Sequence, residues 1–149
     1  MICWHGMGSH HRARAHPLVA AAADLVGTPF RLHGRDPATG LDCVGLVCAA
    51  LAATGAKPVA PRGYSLRNLR VDQWLHLAAH SGLAPSPGLI RAGDVLLVAL
   101  GACQHHLAIA QGPNSIIHAH AGLRRVVRQR RDPDWRVAAK WRIPSDLEG

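Results

Sequence analysis

The chain has 149 residues, 48% of them hydrophobic, enough for one domain with a proper core and too apolar for a disordered chain. The formal charge is +8 and aromatic residues make up only 4%; such a basic surface favours anionic partners such as nucleic acid, acidic wall polymers or an acidic protein face. No apolar run reaches the roughly 18 residues that a helical membrane span needs, so no membrane insertion is expected.

Residues 1–15 are expected to form a flexible basic arm, and residues 16–149 a single domain. The apolar stretch Leu18–Val26 lies behind that arm, but Asp24 interrupts it and no small-residue cleavage site follows. A leader peptide is therefore not expected. Instead His16–Val26 reads as a helix, rich in alanine, with Leu18, Ala22 and Val26 at helical spacing and Gly27-Thr28-Pro29 as its stop. Phe30–Thr39 reads as a polar loop. A second helix is expected from Asp42 or Cys43 to Thr54, apolar nearly all round and therefore buried, with Gly55 ending it. After a Pro-rich connection, Leu69–Ser81 reads as a weaker third helix.

The texture then changes. Asp94–Leu100, His105–Ala110, Ser115–Ala119, Arg124–Gln129 and Arg136–Ile143 read as short strands separated by Gly, Pro, Asn or Asp. Helices followed by consecutive antiparallel strands argue for an α+β fold, with helices packed on a sheet of about five strands. Arg124, Arg125, Arg128, Arg130 and Arg131 concentrate the charge. No aromatic residue interleaves them, so they read as a solvated strand edge and nucleic acid is not expected as a partner.

The cysteines are Cys3, Cys43, Cys48 and Cys103, with no CxxC pair, so neither a zinc ribbon nor a dithiol redox site is indicated. On a helix the five-residue step from Cys43 to Cys48 turns through about 500°, which argues against a disulfide between them. Cys43 follows an N-cap aspartate, where first-turn N–H groups and the helix dipole are expected to lower a thiol's pKa and help hold an oxyanion. Downstream, His106 and His118 flank a turn. A hairpin centred on Gly112 would set these two directly opposite on one face, with His105 on the other face and His120 one pair further along. Ala108 and Ala110 continue the His106 face, while Leu107 and Ile109 would face the core. A cysteine at a helix N-terminus, a strand histidine and a second polar group orienting it form a recurrent nucleophilic arrangement. Taken singly, a buried cysteine on an apolar helix reads as structural filler, and only the order and spacing of the motifs favour Cys43 as a nucleophile. Asp94 reads as a turn residue.

Blocks in order carry a resemblance. GTPF at 27–30, LDCVGLV at 41–47, RAGDVLLV at 91–98, HLAIAQG at 106–112 and SIIHA at 115–119 resemble the successive motifs of the NlpC-type cell-wall peptidases, a branch of the papain-like cysteine peptidases. The resemblance implies a papain-like NlpC-type fold with Cys43 as nucleophile, His106 as general base and His118 as the residue orienting it. It implies hydrolysis of an amide in peptidoglycan stem peptides, typically the γ-D-glutamyl–diamino-acid bond, with no metal or other cofactor. Phe30 stands where the family often has tyrosine, and Val44 where it often has serine. The compact form resembles the peptidases of phage tails and gene transfer agents. It implies a protein made in the bacterial cytoplasm, carried on a phage-like tail tip or baseplate beside hub proteins, and acting in the recipient's periplasm and wall. The alternatives are a tail-docking module with this fold and little activity, and an acyltransferase on the same scaffold.

Overall fold

The computed structural model describes residues 16–59, 71–101 and 104–144. The expected arm at 1–15 lies outside them, as do the ends of the 57–63 connection and of the chain. Helix α1 spans Pro17–Ala23, opened by His16, whose Nδ1 accepts from the Leu18 amide, and by proline at the first helical position. It is shorter than the expected His16–Val26, because 24–27 form turns that end on Gly27 with φ +95°. Inside the expected polar loop a small hairpin forms, β1 (Arg35–Asp36) against β2 (Gly40–Leu41).

Helix α2 (Cys43–Ala53) buries Cys43, Val44, Gly45, Leu46, Val47, Ala50 and Leu51, the nearly all-round burial that its composition demands. It ends at Thr54, and Gly55 takes the left-handed φ of +94°. Helix α3 (Val71–His80) contributes Trp74 and Ala78 to the core. Strands β3 (Ala84–Pro85), β4 (Val95–Gly101), β5 (Gln104–Gly112), β6 (Ser115–His120), β7 (Arg125–Arg130) and β8 (Arg136–Arg142) follow. They form one antiparallel sheet in the order β3-β8-β4-β5-β6-β7, six strands rather than about five, because Ala84–Pro85 adds a short edge beside β8.

The sheet has a buried layer on each face. Leu107, Ile109, Ile117 and Val95 pack against Leu18, Cys43, Leu46, Val47 and Trp74 from the helices. On the other face Leu96, Val98, Ala108, Ala110 and Ile116 pack with Ile90, Trp135 and Val137. Leu107 and Ile109 thus face the core under the helices as expected, whereas the small residues Ala108 and Ala110 pack with Trp135, Val137 and Ile90 on the other face. This is an α+β fold, with the helices packed on an antiparallel sheet. Among the described residues no helix is long and apolar enough to cross a membrane.

Candidate active site

The loop 31–42 builds the N-terminus of α2 around one carboxylate. Asp42 is wholly buried; its Oδ1 accepts from the Gly45 amide at 2.8 Å and its Oδ2 from the His33 amide at 2.8 Å. The Arg35 guanidinium closes on Oδ1 at 3.0 Å, supplying the charge partner a buried carboxylate requires. Glycines make the fit possible. A Cβ on Gly45 would lie 2.0 Å from the Gly34 oxygen, and one on Gly34 would lie 2.2 Å from the Gly40 oxygen. The glycine two residues after Cys43 is therefore a steric requirement of this packing.

Cys43 opens the helix and is fully buried. Its surroundings overturn the expected lowered pKa: burial pushes the thiol from 9.0 up to about 12, and the Asp42 charge adds to this. Backbone N–H groups of Leu107, Val44 and Cys43 act in the opposite direction, but do not offset the loss of water. Cys43 and Cys48 are both free thiols; Cys48 is half-buried, and burial raises its pKa as well.

The two histidines meet, by a route different from the expected one. In the β5–β6 hairpin Ile109 faces Ile117 and Ala110 faces Ile116, while Gly112 faces Ser115. A two-residue turn, Pro113-Asn114, and a bulge at Gln111 replace the loop centred on Gly112. His106 and His118 are therefore diagonal rather than directly opposed. They share a face, and diagonal neighbours on a sheet remain within reach of long side chains. His106 Nε2 and His118 Nδ1 lie 2.7 Å apart in a hydrogen bond, with the rings edge to face. Trp135 stands edge-on to both rings, at 6.2 and 5.7 Å between centroids. Gln129 lies beyond His118, its Oε1 2.9 Å from His118 Nε2. His120 is half-buried next to His118 and accepts the Leu123 amide at Nδ1.

Burial first, and then the neighbouring His118 and His120, lower the pKa of His106 from 6.5 to about 3. Burial also lowers that of His118, partly countered by its bond to Gln129. Both rings are thus neutral at neutral pH. Around them lies an open cleft bordered by Phe30, Gln104, His105, His106, His118 and Trp135. His105 turns away from His106 by strand alternation and is buried, with no hydrogen-bond partner at Nδ1 among the described residues.

Cys43 packs in the same core as Leu107, the residue that follows His106 on β5. The backbone amide of Leu107 favours the charged form of the sulfur. No hydrogen bond joins Cys43 to an imidazole among the described residues. Asp94 lies apart from this cluster. It accepts from the Arg91 amide, Ser86 Oγ and Arg142 Nη1, the bonds of a structural turn residue. Sequence reasoning missed Gln129 and Trp135, since a glutamine in an arginine-rich strand and a tryptophan in a turn carry no pattern that points to a site. Among the described residues no group of three or more His, Cys, Asp or Glu side chains could hold a metal ion.

Comparison with known proteins bears on this arrangement. No curated protein matches the chain. Among solved structures, it is similar to the NlpC/p60 domain of the peptidoglycan hydrolase SagA, at 27% identity over 85% of this chain and 99% of that one, with a TM-score of 0.54. It is also similar to the peptidoglycan hydrolase RipB of Mycobacterium tuberculosis, at 21% identity over 91% of this chain and 70% of that one, with a TM-score of 0.54. An NlpC/P60 family protein of Bacillus cereus gives a TM-score of 0.62 at 21% identity; there the match covers 88% of this chain but only 40% of the longer protein. The model of the NlpC/P60 family matches residues 27–140, most of the chain, and the chain belongs to that family.

Proposed function

We propose that this protein is a cysteine peptidase that hydrolyses an amide bond of peptidoglycan stem peptides, the γ-D-glutamyl–diamino-acid bond in the first instance. The observation that carries the reading is the His106–His118 hydrogen bond at 2.7 Å, on the strand whose next residue, Leu107, packs in the same core as Cys43. Cys43 is the nucleophile, His106 the base, and His118 the residue that orients it.

Both partners start neutral, so attack and proton transfer occur together. His106 Nδ1 takes the thiol proton as the sulfur bonds to the scissile carbonyl carbon, and the carbonyl π pair moves onto oxygen. First-turn N–H groups of α2 stabilise that oxyanion. Collapse of the tetrahedral adduct breaks the C–N bond, and the His106 imidazolium gives its proton to the departing amine. Water, deprotonated by His106, then cleaves the thioester and restores the thiol. The neutral resting pair makes substrate binding the step that aligns sulfur and imidazole. Cys43→Ala should abolish release of fragments from purified sacculi while the fold survives; undiminished release from that variant would overturn the reading.

We also propose that the protein acts on a phage-like tail tip or baseplate, beside hub proteins, opening the wall of a recipient cell. What supports this is a basic edge: β7 borders the sheet and exposes Arg125, Arg128 and Arg130. Mass spectrometry of purified particles should detect the chain, and its absence from them would exclude the role. One observation favours the second reading, a docking module of low activity: the thiol is fully buried, and among the described residues no hydrogen bond joins it to an imidazole. Wild-type protein that leaves sacculi intact would select that reading.

A further inference from the structure

Three hydrogen-bonding groups follow one another on one face of the sheet. Ile116 pairs with Gln129, and His118 with Val127, so Gln129 is the diagonal neighbour of His118 across β6 and β7. Its Oε1 lies 2.9 Å from His118 Nε2, and His118 Nδ1 lies 2.7 Å from His106 Nε2.

We infer that Gln129 is a positioning residue that fixes the tautomers of both histidines; this rests on the reading of His106 as the base. Each neutral imidazole has one N–H and one lone pair. A base that receives the thiol proton at Nδ1 must carry its own hydrogen on Nε2. His106 Nε2–H therefore donates to His118 Nδ1, and His118 must hold its hydrogen on Nε2. That N–H needs an acceptor because His118 is buried, and Gln129 Oε1 is the acceptor there. With its oxygen turned to His118, one arrangement of hydrogens satisfies every member of the chain. Without it, the reversed pair is equally available: His118 donates from Nδ1, His106 accepts at Nε2, and the hydrogen on His106 Nδ1 blocks proton uptake. No proton moves to Gln129; its amide selects which of two neutral forms the pair adopts.

Two variants test this. Gln129→Met keeps the size and removes the acceptor, whereas Gln129→Glu keeps the acceptor. Nitrogen-15 NMR of the imidazoles, recorded without substrate, should find His106 and His118 both as Nε2–H tautomers in the wild type and in Gln129→Glu. In Gln129→Met both should become mixtures. For stem-peptide cleavage, Gln129→Met should lower kcat by roughly tenfold, the scale of one lost hydrogen bond, leave KM unchanged, and be rescued in Gln129→Glu. Unmixed Nε2–H tautomers in Gln129→Met would overturn the inference, as would a wild type lacking them or a loss confined to KM. The tautomer measurement needs no turnover, so a wild type that cleaves nothing would defeat the peptidase reading and leave Gln129 still decided by the spectra.

Discussion

At Cys43 two opposing influences meet. The helix N-terminus and the amides of Leu107, Val44 and Cys43 favour a thiolate, while full burial and the Asp42 carboxylate favour the thiol, whose pKa reaches about 12. Iodoacetamide should therefore label Cys43 more slowly than a free thiol at neutral pH, a ratio that peptide mapping would measure; labelling faster than a free thiol would contradict the burial. The histidines give a second prediction. An unfolded His106 takes a proton near 6.5 and the folded one only near 3, so between those values the unfolded chain binds more protons. Stability conferred by the neutral ring is complete above that window and is lost as the pH falls through it. Urea titrations across the window should find stability rising with pH, with a shallower slope in His106→Gln. Of these residue-scale properties the sequence conveys the identities and little of the electrostatics. Asp42-Cys43 is legible as a cap and first turn, but burial of the sulfur depends on β5, which lies sixty-odd residues away in the chain.

At the scale of elements, patterns of local origin are the legible ones. The all-round apolar character of α2 and the alternation of Leu107 and Ile109 against Ala108 and Ala110 are written in consecutive residues, and the structure follows both. The hairpin register is not local in this sense. It depends on whether the chain turns at Gly112 or at Pro113-Asn114, and the bulge at Gln111 shifts the partners while keeping both histidines on one face. The role of Gly45 likewise becomes visible only once the 31–34 loop crosses the helix. A methyl group there meets the Gly34 oxygen at 2.0 Å, and that atom is backbone, so relief requires moving the loop or the helix. Gly45→Ala should lower stability by about 1–3 kcal/mol, the usual range for overpacking, as measured by denaturant unfolding. It should also displace Asp42 and with it the first turn that carries Cys43, so any remaining activity should fall further than stability does. An alanine variant as stable as the wild type would mean that this crossing is looser than the distances indicate.

Across the whole molecule, the sheet is tied together away from the histidines by a second buried carboxylate. Asp94 immediately precedes β4 and is wholly buried; it receives Arg142 Nη1 at 2.9 Å from β8, Ser86 Oγ at 2.8 Å from the chain after β3, and the Arg91 amide at 2.8 Å. Lys140 Nζ lies a further 3.7 Å from it. One side chain thus joins the β3 edge, the 86–91 connection and the central strands, and its partner Arg142 is itself buried. Replacing such a pair as a unit by apolar groups is often neutral, but removing one member strands the other without water or a counter-charge. Asp94→Ala should therefore cost about 3–5 kcal/mol in urea unfolding. Asp94→Ala combined with Arg142→Met should recover a large part of that loss, because the stranded guanidinium is gone. Since Asp94 has no bond to Cys43, His106 or His118, cleavage per folded molecule should be unchanged in the double variant. A loss of cleavage exceeding the loss of folded protein would instead tie this carboxylate to the reacting groups, against the separation of the two clusters in the fold.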